Sequence, residues 1–231
     1  MAGVPAVAAG GPHAGGRVAQ AGAPLTRARL AVVMAHGRGG SPEDMLGLAE
    51  SLALPDVAYL APAAAGHSWW PASFLAPIEA NEPGLSSGLG VLGGLVERLE
   101  GSGFGPDRVV IMGFSQGACL ALEYAARSGH PFHGVAGLSG GLVGTGEAAG
   151  PPRDELYGHA PKRFSYDARL SGVSVFLACH ERDPHIPLAR VRESAAVFSR
   201  LGASVRVEVL PGAGHGVVAE EVRALRGLLN R

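Results

Sequence analysis

The sequence predicts an α/β fold, with a mostly parallel central sheet, helices on both of its faces and no large cap domain. Three observations lead there. Short runs of β-branched and apolar residues recur along the chain, and most are apolar on both faces, as strands covered on both sides of a parallel sheet must be. Amphipathic helical patterns lie between these runs, so strand and helix alternate through most of the length. At 231 residues, with 47% hydrophobic and 17% charged side chains, the chain can bury a large core within one domain.

The elements are justified in turn. Residues 1–16 are Gly, Ala and Pro without periodicity, and a flexible leader that buries little is expected there, with a single domain over 17–231. Strands are expected at Arg17–Ala21, Leu30–Ala35, Val57–Leu60, Val109–Gly113, Val135–Leu138, Val173–Cys179 and Ser204–Leu210. The helix Pro42–Leu52 is strongly signalled: Ser41 supplies an N-cap, Pro42 occupies the first helical position, and Glu43 and Asp44 place acid in the first turn. Leu85–Leu99 carries Leu85, Leu89, Leu92, Val96 and Leu99 at helical spacing in spite of four glycines. Gln116–Arg127, Leu188–Leu201 and Val217–Leu229 complete the helices. Residues 144–170 break the rhythm; Gly and Pro make their first half a loop, read either as a mobile flap or as a plain surface insertion.

Composition excludes several roles. A formal charge of -1 leaves no field that would favour nucleic acid or an anionic membrane. No stretch approaches the roughly 20 apolar residues of a membrane span, and the N-terminus lacks the basic start and unbroken apolar run of a secretory signal. A cytoplasmic protein without stable membrane insertion is expected. Cys119 and Cys179 each sit in an apolar run, where a small buried thiol is the ordinary reading, and they make neither a disulfide nor a metal framework.

The chemistry concentrates in VVIMGFSQGACLAL, from Val109 to Leu122. A strand ends abruptly in Gly113-Phe114-Ser115-Gln116-Gly117 and a helix begins at once. This is either a tight turn filled with whatever fits or a G-x-S-x-G turn that holds one hydroxyl in the open. Glycine on either side removes Cβ atoms that would collide with the strand and helix, and the helix N-terminus turns unpaired N–H groups toward Ser115. A serine hydroxyl needs a base. After the strand VSVFLAC comes HERDPHIP, and after SVRVEVL comes PGAGHGV, so an acid and His215 each follow a strand at the same sheet edge as Ser115. Glu181 and Asp183 compete for the acid; Pro184 forces Asp183 into an extended conformation that aims its short carboxylate back at the sheet, which favours Asp183. The glycine-rich His36-Gly37-Arg38-Gly39-Gly40 follows an early strand and lacks the lysine and hydroxyl of a phosphate loop. The backbone N–H groups of Arg38 and Gln116 are the expected oxyanion donors.

HGRGG, GFSQG, the Asp-Pro of RDPHIP and GAGHGV, in this order and at these separations, resemble the phospholipase/carboxylesterase family of α/β hydrolases, which includes the acyl-protein thioesterases. The resemblance covers Arg17 to the C-terminus. It implies the α/β-hydrolase fold, a triad of Ser115, Asp183 and His215, and an oxyanion hole formed by the N–H groups of Arg38 and Gln116. The chain departs from the thioesterases at Arg38, where they usually carry an apolar residue, and near Glu181, where they have a glycine. The Arg38 side chain then either faces the substrate or reaches solvent or an acid such as Glu43 or Asp44. In the family arrangement the segment HSWWPASF lies near the site, and Trp69 or Trp70 either walls an acyl pocket or anchors the loop. The expected activity is hydrolysis of carboxylic esters of small to medium acyl chain, without metal or organic cofactor. The alternatives are an acyl-protein or acyl thioesterase, a lysophospholipase, or a binding protein that keeps the fold without turnover. The expected partner is a small-molecule ester substrate; a homodimer is allowed.

Overall fold

The computed structural model describes residues 10–231. In chain order the elements are β1 (Val18–Gly22), β2 (Leu30–Ala35), α1 (Pro42–Leu52), β3 (Val57–Pro62), α2 (Gly84–Gly101), β4 (Val109–Phe114), α3 (Gln116–Ser128), β5 (Gly134–Leu138), β6 (Gly146–Glu147), β7 (Lys162–Arg163), β8 (Ser174–Arg182), α4 (Leu188–Arg200), β9 (Ser204–Ala213) and α5 (Ala219–Leu229). Seven strands form one sheet in the order β1-β3-β2-β4-β5-β8-β9, parallel throughout except for the edge strand β1, which pairs antiparallel with β3. Every residue of β2, β3 and β5 is buried, because helices cover both faces. Alternation in β2 shows the division: Ala31, Val33 and Ala35 join the core beneath α2, α3 and α4, whereas Leu30, Val32 and Met34 join the core beneath α1 and α5.

The strand order reverses between β2 and β4, since the chain leaves β2 for β3 on one side and returns to β4 on the other. At such a point the loops after neighbouring strands diverge and open a crevice at the strand C-termini. Here those loops are His36–Gly40 and the Ser115 turn.

The capping expected at α1 is present. Asp44 N–H donates to Ser41 Oγ (3.4 Å), and Ser41 N–H donates to the Asp44 carboxylate (2.7 Å). The last two strands run further than their apolar stretches suggest, β8 to Arg182 and β9 to Ala213. Backbone pairing continues past a register shift between His180 and Arg182, and Gly212 N–H donates to the Glu181 carboxylate (3.1 Å).

The expectation of a leader that buries little does not hold at His13, although most of residues 10–16 are exposed. Residues 1–9 lie outside the described residues, but His13 is buried and its backbone N–H donates to Ser87 Oγ (3.0 Å). Its ring accepts from Ala65 N–H (3.1 Å) and donates to the Trp69 carbonyl (2.8 Å). One imidazole thus satisfies two backbone groups of the loop after β3, a long-range role that local Gly and Ala content does not reveal.

Residues 144–170 form a largely exposed arm that is pinned to the body at several points. β6 and β7 pair antiparallel, and the Lys162 ammonium, buried, donates to the Ala76 carbonyl (2.6 Å) and pairs with Glu147. At the arm's two ends, Glu123 accepts from the N–H groups of Val143 (2.9 Å) and Gly144 (3.0 Å) and from the Tyr166 hydroxyl (2.9 Å). Four donors including Arg127 (2.7 Å) make this fully buried carboxylate tolerable.

Candidate active site

Ser115 follows β4 and caps α3 with φ 53° and ψ −118°, a conformation rarely adopted by a residue with a side chain. The surroundings enforce it. A Cβ on Gly113 would lie 2.2 Å from the Gly117 carbonyl oxygen, and one on Gly117 would lie 2.1 Å from that of Ala35, so β2, β4 and α3 approach more closely than any alanine permits. The turn is therefore tight for steric reasons, and it leaves the hydroxyl proud of the sheet.

Two loops meet that hydroxyl. His215, after β9, brings Nε2 to 2.9 Å from Ser115 Oγ, and its Nδ1 lies 2.7 Å from Asp183 Oδ2, after β8. The His215 ring packs against Phe114 at a centroid distance of 5.1 Å and edge-on against His185 at 4.8 Å. Asp183 is buried. Its Oδ1 accepts from the N–H groups of His185 (2.9 Å) and Ile186 (3.0 Å), and the Cys179 thiol lies 3.7 Å from Oδ2. Burial pushes the carboxyl pKa up, but the His215 hydrogen bond, the two backbone donors and the His215 charge outweigh it and hold Asp183 below the ordinary carboxylate value. With Asp183 accepting at Nδ1, the neutral imidazole presents a bare Nε2 to the serine proton. Tyr157, on the arm, donates its hydroxyl to the Asp183 backbone carbonyl and so braces the same loop.

Glu181 is placed elsewhere: it is exposed and accepts from Gly212 N–H. The geometry thus selects Asp183 over Glu181 as the partner of His215.

The serine opens into a cleft of about 510 Å³ lined by Arg38, Trp70–Phe74, Ser115, Gln116, Cys119, His185, Ile186 and His215. The backbone N–H groups of Arg38 and Gln116 make no hydrogen bond to the described residues. Trp69 and Trp70 separate. Both are buried, but Trp70 lines the cleft, whereas Trp69 places its indole N–H on the His36 carbonyl (2.9 Å) and is a packed anchor instead of a pocket wall. The Arg38 guanidinium reaches neither Glu43 nor Asp44. It donates to Ser68 Oγ (3.2 Å) and to the carbonyls of Pro71 (2.8 Å) and Ala72 (2.6 Å) on the cleft wall.

Comparison with known proteins follows this geometry. A profile described as phospholipase/carboxylesterase matches residues 18–154, more than half of the chain. The chain belongs to the phospholipase/carboxylesterase family. A dienelactone hydrolase family profile also matches residues 91–225. A phospholipase/carboxylesterase structure from Dyadobacter fermentans DSM 18053 is similar with a TM-score of 0.83 and 34% identity, over 96% of this chain and 100% of that one. NocK of Nocardia uniformis subsp. tsuyamanensis, a proposed esterase, is 31% identical over 212 residues, 86% of this chain and 60% of its own length. Acyl-protein thioesterase 1 of Gibberella zeae is 30% identical over 137 residues, 59% of this chain and 53% of its own. The chain thus spans only a little over half the length of these two curated relatives.

In this member of the phospholipase/carboxylesterase family, the side chains of His36 and Gln116 have positioning roles that their motifs do not assign. His36 donates from Nδ1 to the Gly37 carbonyl (2.8 Å) and accepts at Nε2 from Ala64 N–H (3.0 Å), fixing the loop that holds Arg38. Burial lowers its pKa, in keeping with a neutral ring. The Gln116 side chain accepts from Trp69 N–H (2.9 Å) and donates to the Trp70 carbonyl (2.8 Å), tying the tryptophan loop to the serine turn. Gln was the variable position of G-x-S-x-G, so only the spatial partner gives it a role. No helix of the described residues is long and apolar enough to cross a membrane.

The His215 loop leads into α5 through a buried carboxylate. Glu221 accepts from Val218 N–H (2.8 Å) with one oxygen and leaves the other without a hydrogen-bond partner. Burial, with Glu208 and Glu220 nearby, pushes its pKa up to about 7 from 4.5. A folded-state pKa above the unfolded one means the native state holds the extra proton, so stability declines as pH rises from about 4.5 through about 7. Glu221→Gln is therefore expected to match the wild type near pH 5 and to exceed it by up to ~3 kcal/mol near pH 8. Denaturant titrations at the two pH values read the difference directly, and a gap that does not change with pH overturns it.

Proposed function

We propose that the protein is a serine carboxylesterase acting on esters of small to medium acyl chain through an acyl-enzyme. The observation that carries the reading is the continuous relay from Ser115 Oγ to His215 Nε2 (2.9 Å) and from His215 Nδ1 to Asp183 (2.7 Å), facing an open cleft in a member of this family. His215 takes the serine proton as Oγ attacks the ester carbonyl, and Asp183 stabilises the imidazolium. The N–H groups of Arg38 and Gln116 receive the oxyanion, at the N-terminus of the 13-residue helix α3, whose dipole also favours negative charge. His215 then protonates the leaving alcohol, and a water that it deprotonates resolves the acyl-enzyme.

Similarity to an acyl-protein thioesterase supports thioesters as a second substrate class, since the acyl-enzyme is the same and only the leaving group differs. Against long fatty chains stand the size of the cleft, about 510 Å³, and a guanidinium on its wall. A fluorophosphonate probe is expected to label the wild type at Ser115, which a binding protein without an activated serine would resist. A series of p-nitrophenyl esters beside acyl thioesters then ranks the substrates. Absence of labelling together with absence of turnover across the series rejects the esterase reading.

A further inference from the structure

Of the residues that line the cleft, Arg38 alone carries a permanent charge, and none is Asp or Glu. The remaining ionisable groups on the wall do not repel an anion. His185 and His215 become cations when protonated, and burial pushes the Cys119 thiol up to about 12, so it stays neutral.

The partners of Arg38 are all uncharged. Its guanidinium donates to a serine hydroxyl and two backbone carbonyls, and it forms no ion pair with any described residue. The acids nearest in sequence are occupied: Glu43 pairs with Arg17 (2.6 Å), and Asp44 accepts from Ser41. Residues 1–9 contain no acid. Dipoles hold the group in place without neutralising it. A guanidinium has five N–H donors, and the three contacts leave Nε–H and one Nη2–H without a partner among the described residues. A neutral amide would tether the same carbonyls without setting a charge beside an ester-binding cleft. Donors left free on a fixed planar cation are what a carboxylate takes up, with direction as well as charge.

We propose that the Arg38 guanidinium is a substrate-recognition subsite for a carboxylate, so that the preferred substrates are esters of dicarboxylic or carboxylate-bearing compounds. The proposal rests on the esterase reading of the same cleft. Arg38 then has two roles through separate atoms: its backbone N–H faces the oxyanion, and its side chain selects the substrate.

Matched esters test this. On the acyl side the pair is p-nitrophenyl hydrogen adipate and p-nitrophenyl hexanoate; on the alcohol side it is 4-acetoxybenzoate and 4-methylphenyl acetate. The readout is kcat/KM for the anionic ester over that for its neutral partner, wild type against Arg38→Leu, so any general loss of activity and any difference in leaving group cancel. In at least one pair this ratio is expected to fall tenfold or more in Arg38→Leu and to recover in part in Arg38→Lys. Ratios unchanged in both pairs overturn the proposal. If Arg38→Leu does not fold, Arg38→Gln, which keeps a tether to the carbonyls, reads the same ratios. If the wild type turns over none of the four esters and takes no fluorophosphonate label, the esterase reading fails separately. The subsite is then read by calorimetric binding of methyl hydrogen adipate, where tenfold weaker binding to Arg38→Leu supports it and equal binding overturns it.

Discussion

Ser115→Ala is expected to abolish ester hydrolysis, lowering kcat by roughly 10³- to 10⁶-fold, the range spanned when a serine nucleophile is removed and only binding and oxyanion contacts remain. In the proposed mechanism the loss is this large because His215 and Asp183 act on the Ser115 proton. Stability should hardly move. The turn is set by the close approaches at Gly113 and Gly117, not by the hydroxyl, and alanine meets the same backbone constraint that serine already bears at φ 53°. The hydroxyl itself contributes one hydrogen bond, to a half-buried imidazole. Turnover of p-nitrophenyl acetate and a thermal melt, measured on one preparation, check both halves. Activity above a few per cent of wild type removes Ser115 from the mechanism, and a melt lowered by many degrees would make the turn depend on the hydroxyl after all.

Asp183→Asn is expected to cost about 10⁴ in kcat, and the environment of the carboxylate explains why an isostere cannot serve. One oxygen, Oδ1, accepts from the N–H groups of His185 and Ile186. An asparagine must keep its carbonyl there, because its NH₂ group cannot accept from either donor. Its NH₂ therefore faces His215 Nδ1, which must then accept, and the ring proton moves to Nε2. An imidazole in that tautomer points a proton at Ser115 and cannot take one away. The side-chain volume is unchanged, so the fold should persist while chemistry stops. Glu181→Gln should leave kcat within a few-fold, since Glu181 is exposed and among the described residues its carboxylate bonds only the Gly212 N–H. Rate measurements on the two variants decide the matter together; the reverse outcome transfers the acid to Glu181.

Much of this site was legible in the chain before folding. The strand, Gly-x-Ser-x-Gly turn and helix around Ser115 form a largely local device, so the pattern of residues 109–122 announces it, although the close approach of Ala35 on β2 also calls for Gly117. Ser41 with Asp44 is another such case. The acid and base were legible for a different reason: an alternating α/β chain makes its loops fall at known edges of the sheet, and their order along the sequence then follows. Where that logic left two acids two residues apart, Pro184 weighed toward Asp183, and the observed contact with His215 agrees.

The remainder was not local. Trp69 and Trp70 are identical neighbours, yet one is buried against His36 and the other lines the cleft, because the loop turns between them against Gln116. His13 lies in a stretch of Gly and Ala that carries no signal, and the partners of its ring and backbone N–H are 52 or more residues away. The arm over residues 144–170 is held in part by buried Lys162 and its contacts with Glu147 and Ala76, long-range contacts that the local sequence does not announce.

By itself, then, the sequence determined the elements, their alternation, the Ser115 turn and the chain order of serine, acid and histidine, all properties that arise from neighbours along the backbone and from a period of two or 3.6 residues. The tertiary structure alone decided which carboxylate meets His215, which tryptophan faces the cleft, and that the Arg38 cation is held on the cleft wall by neutral acceptors. Those outcomes depend on contacts between residues as much as 47 positions apart, whose geometry is set by how the two cores pack against the sheet.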